Sequence, residues 1–204
     1  MKKIIVFFLL LVSCSFAQRK TVFEGETENG GFGAAVVKFT PIKNNLGILV
    51  GGYGGWLINH SLLLGGGGFG LVNNIKANED IQSIFSFPRE PFLNFGYGGG
   101  IIEYYFSPNE ILHASVSLLV GGGAVSYRDA RMSDSYYSEF NDRNLDDGVF
   151  VLEPGLSGEL NVLSYFKMGL SLSYRYVNGV TIYGLKNSDF SNFSVNLALK
   201  FGKF

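Results

Sequence analysis

The feature that most restricts this chain is the alternation at its C-terminal end. Phe193, Val195, Leu197, Leu199 and Phe201 share one side of a period-two repeat, and Ser194, Asn196, Ala198 and Lys200 share the other. The segment before it sets Phe166, Met168, Leu170, Leu172, Tyr174 and Tyr176 against Lys167, Gly169, Ser171, Ser173 and Arg175. In 149–162, Phe150, Leu152, Leu156, Leu160 and Val162 oppose Glu153, Gly155, Ser157, Glu159 and Asn161. Successive side chains of an extended strand point to opposite faces, so this period is strand chemistry. The polarity narrows the choice. A soluble sandwich turns a polar face to water, whereas here the apolar faces are broad and aromatic and the others mix charges with glycine and serine. That suits a small membrane barrel, whose outside meets lipid and whose narrow inside holds charges that must pair.

Eight segments read as strands: 31–40, 46–58, 61–72, 92–106, 111–127, 149–162, 165–177 and 191–203. Their connections alternate in length. Asn59-His60, residues 107–110 and Leu163-Ser164 are short, while 73–91, 128–148 and 178–190 are long. The first connection, 41–45, is short and departs from the pattern. Short periplasmic turns and long external loops characterise outer-membrane barrels, and an even strand number puts both termini on the periplasmic side. Aromatic residues gather at both ends of the segments. Trp56, Tyr104, Tyr105, Phe106, Tyr165, Phe166, Phe201 and Phe204 lie beside short turns or the C-terminus and read as one interfacial girdle. Phe92, Phe95, Tyr97, Tyr127, Phe150, Tyr174 and Tyr176 lie near the long loops.

Composition removes the competing classes. Charged residues are only 16%, against ~25% in ordinary soluble domains, and glycine is 28 of 204. The glycines have no collagen register, hydrophobicity is too ample for disorder, and the one cysteine, Cys14, lies in the leader. No apolar run after the leader is long enough for a helical span. Net charge is −1, and −3 once Lys2 and Lys3 leave with the leader, so nothing basic enough to favour nucleic acid is present.

Residues 1–17 read as a signal peptide: Lys2 and Lys3, nine apolar residues over 4–12, then Ser15-Phe16-Ala17 as a cleavage site. Leu11-Val12-Ser13-Cys14 also resembles a lipobox, which would make Cys14 an acylated first residue. Cleavage after Ala17 is the preferred of these two open routes. Residues 18–30 are a polar periplasmic lead-in, and 31–204 form the barrel. Gly30-Gly31-Phe32-Gly33, Gly51-Gly52-Tyr53-Gly54 and Gly67-Gly68-Phe69-Gly70 make a loose repeat, continued at 98–100 and 121–123. Glycine weakens a flat strand but suits sharp curvature, and an eight-stranded barrel is tightly curved. Gly65-x-Gly67-x-x-Gly70 matches a dinucleotide fingerprint only formally, because no amphipathic helix or βαβ unit follows.

The leader, the eight alternating segments and the closing Phe193-x-Val195-x-Leu197-x-Leu199-x-Phe201 resemble the small outer-membrane β-barrels of the OmpA/OmpX type. The phrases GGFGAAVVKF, WLINHS and LKFGKF, with the Phe-Ala-Gln leader end, resemble an outer-membrane group of the Bacteroidota. The resemblance covers about residues 30–204 and implies an all-β, eight-stranded antiparallel up-and-down transmembrane β-barrel. It also implies that a C-terminal aromatic, Phe201 or the out-of-phase Phe204, is the insertion signal read by the outer-membrane assembly machinery. Its motifs carry no catalytic signature.

Lys38, Glu103, Glu153, Glu159, Lys167, Arg175 and Lys200 are expected to face the lumen as a charge network. Eight strands leave no open channel, so a plug of paired charges is favoured over a gated pore. His60 and His113, the latter two residues before Ser115, lie at the periplasmic side, away from the outer leaflet where a lipid hydrolase works. Asp142-x-Asn144-x-Asp146 with Glu153 echoes a calcium loop, but Asp147 stands where the turn needs glycine. Loop 128–148 is acidic and carries Tyr136 and Tyr137. No cofactor or metal is expected. The expected role is structural or interactive in the outer membrane: envelope integrity, or docking on another envelope protein. A narrow solute channel, a lipid-modifying barrel enzyme and a soluble ligand carrier are the rivals.

Overall fold

A computed structural model of the chain describes residues 28–77, 91–128 and 146–204. The leader, residues 18–27 of the lead-in, and the loop positions 78–90 and 129–145 lie outside the described residues, Asp142, Asn144, Tyr136 and Tyr137 among them. The strands are β1 (Asn29–Ile42), β2 (Asn45–Ile58), β3 (Leu62–Leu71), β4 (Ile75–Lys76), β5 (Phe92–Phe106), β6 (Leu112–Arg128), β7 (Asp146–Leu163), β8 (Phe166–Asn178) and β9 (Asn192–Lys203). A single helical turn, α1 (Asn187–Phe190), precedes β9. All pairings are antiparallel between chain neighbours, and β1 pairs with β9 and β3 with β5. The ring therefore closes with eight staves, and β4 prolongs β3 along the edge of β5. The barrel begins at Asn29, two residues before the expected boundary.

The two ends differ. The termini and the turns 59–61, 107–111 and 164–165 mark one, the terminal end; the long connections mark the other, the loop end. The β1–β2 connection at the loop end is a two-residue hairpin in which Lys43 and Asn44 take φ of 49° and 61°. Such a turn follows the right-handed strand twist, and asparagine tolerates the left-handed region. This is why that connection escapes the long-loop pattern.

Burial alternates along every stave. Outward positions on β9 are Phe193, Val195, Leu197, Leu199 and Phe201; inward ones are Ser194, Asn196, Ala198 and Lys200. Among described outward strand side chains, Asp, Glu, Lys, Arg and His occur only at the ends: Lys76 and Asp146 at the loop end, Lys203 at the terminal end. The band between them is apolar all the way round. The glycine runs thin this wall. An added Cβ on the inward Gly99 would lie 2.2 Å from the Val120 carbonyl oxygen, whereas one on the outward Gly33 would meet nothing.

Gly99→Ala should therefore cost about 1–3 kcal/mol of unfolding free energy through overpacking, while Gly33→Ala leaves stability unchanged. Urea unfolding in lipid vesicles measures the difference.

Candidate functional site: the lumen

All seven expected lumen residues are buried inside the barrel. They form two clusters separated by a small chamber. At the terminal end, Lys200 Nζ of β9 lies 2.5 Å from Glu159 Oε1 of β7 and 3.1 Å from Glu103 Oε1 of β5. Glu103 also accepts from the hydroxyls of Tyr53 at 3.0 Å, Tyr105 at 2.7 Å and Ser115 at 2.7 Å. His113 Nε2 stands 3.6 Å from Glu159 Oε2. Toward the loop end, Lys38 Nζ of β1 donates to Glu153 Oε1 of β7 at 2.7 Å and lies 3.6 Å from the centre of the Phe69 ring. Ser173 Oγ donates to the same carboxylate at 2.6 Å, and the Tyr97 hydroxyl donates to its other oxygen. Each carboxylate thus gains an ammonium, and Glu103 and Glu153 two or more hydroxyl donors besides, while Glu159 has the Ser115 hydroxyl at 3.2 Å; this offsets the cost of enclosing them.

Arg175 is fully buried and has no carboxylate bonded to it among the described residues. Its Nε donates to the Phe190 carbonyl oxygen at 2.9 Å, and its guanidinium carbon lies 5.1 Å from the Phe95 ring centre and 5.5 Å from that of Tyr97. Above it the connection 179–191 folds into the mouth and buries Val180, Ile182, Leu185 and Phe190 against Ile42, Leu49, Val151 and Val177. The Asp147 carboxylate fastens this cap by accepting from Thr181 N, Thr181 Oγ1 and Ile182 N. Beside it, burial lowers the pKa of Lys43, with the Asp189 charge opposing. Between the clusters is an enclosed chamber of about 60 Å³ lined by Ser117, Ser157, Ser171 and Asn196 among others. That is room for a few waters.

Several expectations need correcting. Tyr105 is not part of the girdle: it is 2% exposed and its hydroxyl serves Glu103, while Tyr104 and Phe106 on either side face outward. Parity alone places it there, two residues after the inward Glu103. Phe204 shares the parity of Lys200 and packs at the terminal mouth on Phe32, with ring centres 5.2 Å apart. Phe95, Tyr97 and Tyr127 also face inward. Trp56, Tyr165 and Phe201 face outward, and Phe166 stacks on Phe201 at 4.7 Å. Asp147, the residue that argued against a calcium loop, serves the cap, and Glu153 is bonded to Lys38. Among the described residues no three His, Cys, Asp or Glu converge on a metal position. Tyr53, Tyr97, Ser115, Ser173 and Phe190 are network members that sequence reasoning missed.

Glu153→Ala, which strands Lys38, should lower unfolding free energy by about 3–5 kcal/mol, and the double change Glu153→Leu with Lys38→Met should recover most of it. Equilibrium unfolding in vesicles reads both.

No protein-family model matches the chain, and no curated protein matches it. Among solved structures, Neisserial surface protein A is similar over 88% of this chain and 100% of its own, with a TM-score of 0.60 at 12% identity. The N-terminal β-barrel domain of Pseudomonas aeruginosa OprF is similar over 87% of this chain and 99% of its own, with a TM-score of 0.53 at 12% identity. At such identity the likeness is one of architecture: the chain has the closed, eight-stranded antiparallel fold of small outer-membrane β-barrels.

Proposed function

We propose that this chain is an outer-membrane protein with a structural or interactive role, either in envelope integrity or as a subunit that docks on another envelope protein. In this reading the signal segment exports it, the barrel spans the lipid, the terminal end faces the periplasm and the loop end faces outward. The observation that carries it is the apolar band around the whole described outer wall, with the midwall charges enclosed. A soluble carrier needs the reverse arrangement.

The lumen supports a barrel that passes no solute. Two ion-pair clusters and the cap of Phe190, Ile182 and Leu185 stand in series along the axis. A non-enzymatic role is supported by Ser115, whose hydroxyl is buried and donates to Glu103 and Glu159, so it is not poised on His113 as a nucleophile. The outward glycines Gly66, Gly68, Gly98 and Gly100 sit side by side in register and offer a smooth wall for close approach. Phe201, the outward aromatic, suits an insertion signal better than the inward Phe204.

In planar lipid bilayers the purified barrel should give no ion conductance above the lipid background. Stable single-channel openings would contradict the plugged lumen and favour a narrow solute channel.

A further inference from the structure

The chamber between the two ion-pair clusters is lined by hydroxyls that the clusters do not use. Inward serines beside the carboxylates are already engaged: Ser115 Oγ donates to Glu103 at 2.7 Å and Ser173 Oγ to Glu153 at 2.6 Å. Ser117 of β6 and Ser157 of β7 also line the chamber, yet among the described residues their hydroxyls have no hydrogen-bond partner. Their oxygens are not sealed in protein as Ser194 Oγ and Asn196 Oδ1 are; they open on the chamber. Ser171 of β8 lies opposite Ser157 in register. Its Oγ accepts from Asn196 Nδ2 at 3.1 Å, which leaves its O–H to turn the same way. A hydroxyl taken out of bulk water without a partner is costly, and three of them converge on one space.

The lining decides what can occupy that space. The charges facing it are Lys38, Lys200, Glu153 and Glu159, two of each sign, and each ammonium is already bonded to one of the carboxylates. No net charge is left for an ion to answer. An apolar occupant would leave the hydroxyls unmet. The volume of about 60 Å³ admits a few waters and little else. Nor is the space forced by the backbone. A Cβ on Gly169, in the chamber wall, would sit at ordinary contact distances, 3.6 Å from Glu159 Cγ and 3.9 Å from Lys200 Cε. One methyl group would therefore narrow the chamber without a clash.

We propose that the chamber is a binding site for water: a fixed cluster, seated on the hydroxyls of Ser117, Ser157 and Ser171, that joins the Lys38–Glu153 pair to the Lys200–Glu159 pair in one hydrogen-bonded network. Part of the bridge is already protein. Ser173 donates to Glu153 and accepts from Asn196 Nδ2 at 3.0 Å, and the same amide reaches Ser171. Water carries the network from Ser171 to Ser157 and on to Glu159, which also lines the chamber. Bridging waters of this kind are nearly as favourable in enthalpy as direct bonds. This deepens the plugged-lumen reading, and the two fail separately: stable channel openings would break the plug, whereas a dry chamber would leave it closed.

The test has two arms, both on the whole folded barrel in a neutral detergent. Threonine and valine share a shape and differ by a hydroxyl for a methyl group. Ser117→Thr should unfold about 2–4 °C above Ser117→Val, and Ser157→Thr above Ser157→Val by a similar margin, because only threonine keeps the bond to water. Equal midpoints or the reverse order at either position overturns the site, since a dry chamber favours the methyl group. The second arm uses the native chain. Millisecond X-ray pulses make hydroxyl radicals from bound water as well as from bulk water, and these oxidise the side chains beside them. Phe69 lines the chamber, whereas Phe95 packs on Phe190 under the cap, and both are buried. Phe69 should be oxidised at least several-fold faster than Phe95; equal rates overturn the water cluster.

Discussion

Lys200 between Glu103 and Glu159, and Lys38 against Glu153, are the contacts on which the rest of this barrel depends. A closed ring of eight staves has an interior just wide enough for side chains to fill, with no room for a column of bulk water. Charges placed there must find partners within the wall, and the partners must come from staves far apart in sequence. Glu103, Glu159 and Lys200 join β5, β7 and β9, while Lys38 and Glu153 join β1 and β7. The pairs therefore tie opposite sides of the ring and fix its register. With the charges committed inward, the outer wall is free to be apolar throughout its middle.

The wall is uneven, and the unevenness follows from what lies inside it. Staves β7, β8 and β9 present large aliphatic and aromatic side chains outward. Staves β2 and β3 are rich in glycine on both faces, while β5 carries its glycines mostly outward and β6 mostly inward. The inward glycines leave room for Tyr53, Phe69 and Tyr97, the rings that serve or cover the lumen ammoniums and carboxylates; a Cβ on Gly67 would lie 2.4 Å from that of Tyr53, and one on Gly123 would lie 2.6 Å from that of Tyr97. Ring and glycine are one packing solution, and curvature comes with it.

Much of this was legible in the sequence where polarity labels the faces. In β7, β8 and β9 the lumen positions carry charges, serines and asparagines interspersed with small residues such as Gly155, Gly169 and Ala198, against large apolar residues on the other face, so parity could be read directly. In β3, Gly65 to Gly68 carry no label, and the inward face there emerges only from the pairing with β2 and β5. Tyr105 was misread because an aromatic beside a turn also suits an interface; the inward Glu103 two residues earlier was the signal that decides it. Phe204 follows the same rule from Lys200. The cap by 179–191 left no periodic trace, because Val180, Ile182, Leu185 and Phe190 are buried by a folded-in loop rather than by a strand face.

The most direct measurement is a nitroxide scan of β9 from 193 to 201 in reconstituted vesicles, one label at a time, with the native Cys14 replaced. Dissolved oxygen partitions into hydrocarbon and a charged nickel chelate stays in water. Oxygen accessibility should peak at 193, 195, 197, 199 and 201 and fall at 194, 196, 198 and 200. High nickel accessibility at 195, 197 and 199 would mean that the apolar wall does not face lipid, and would contradict the account.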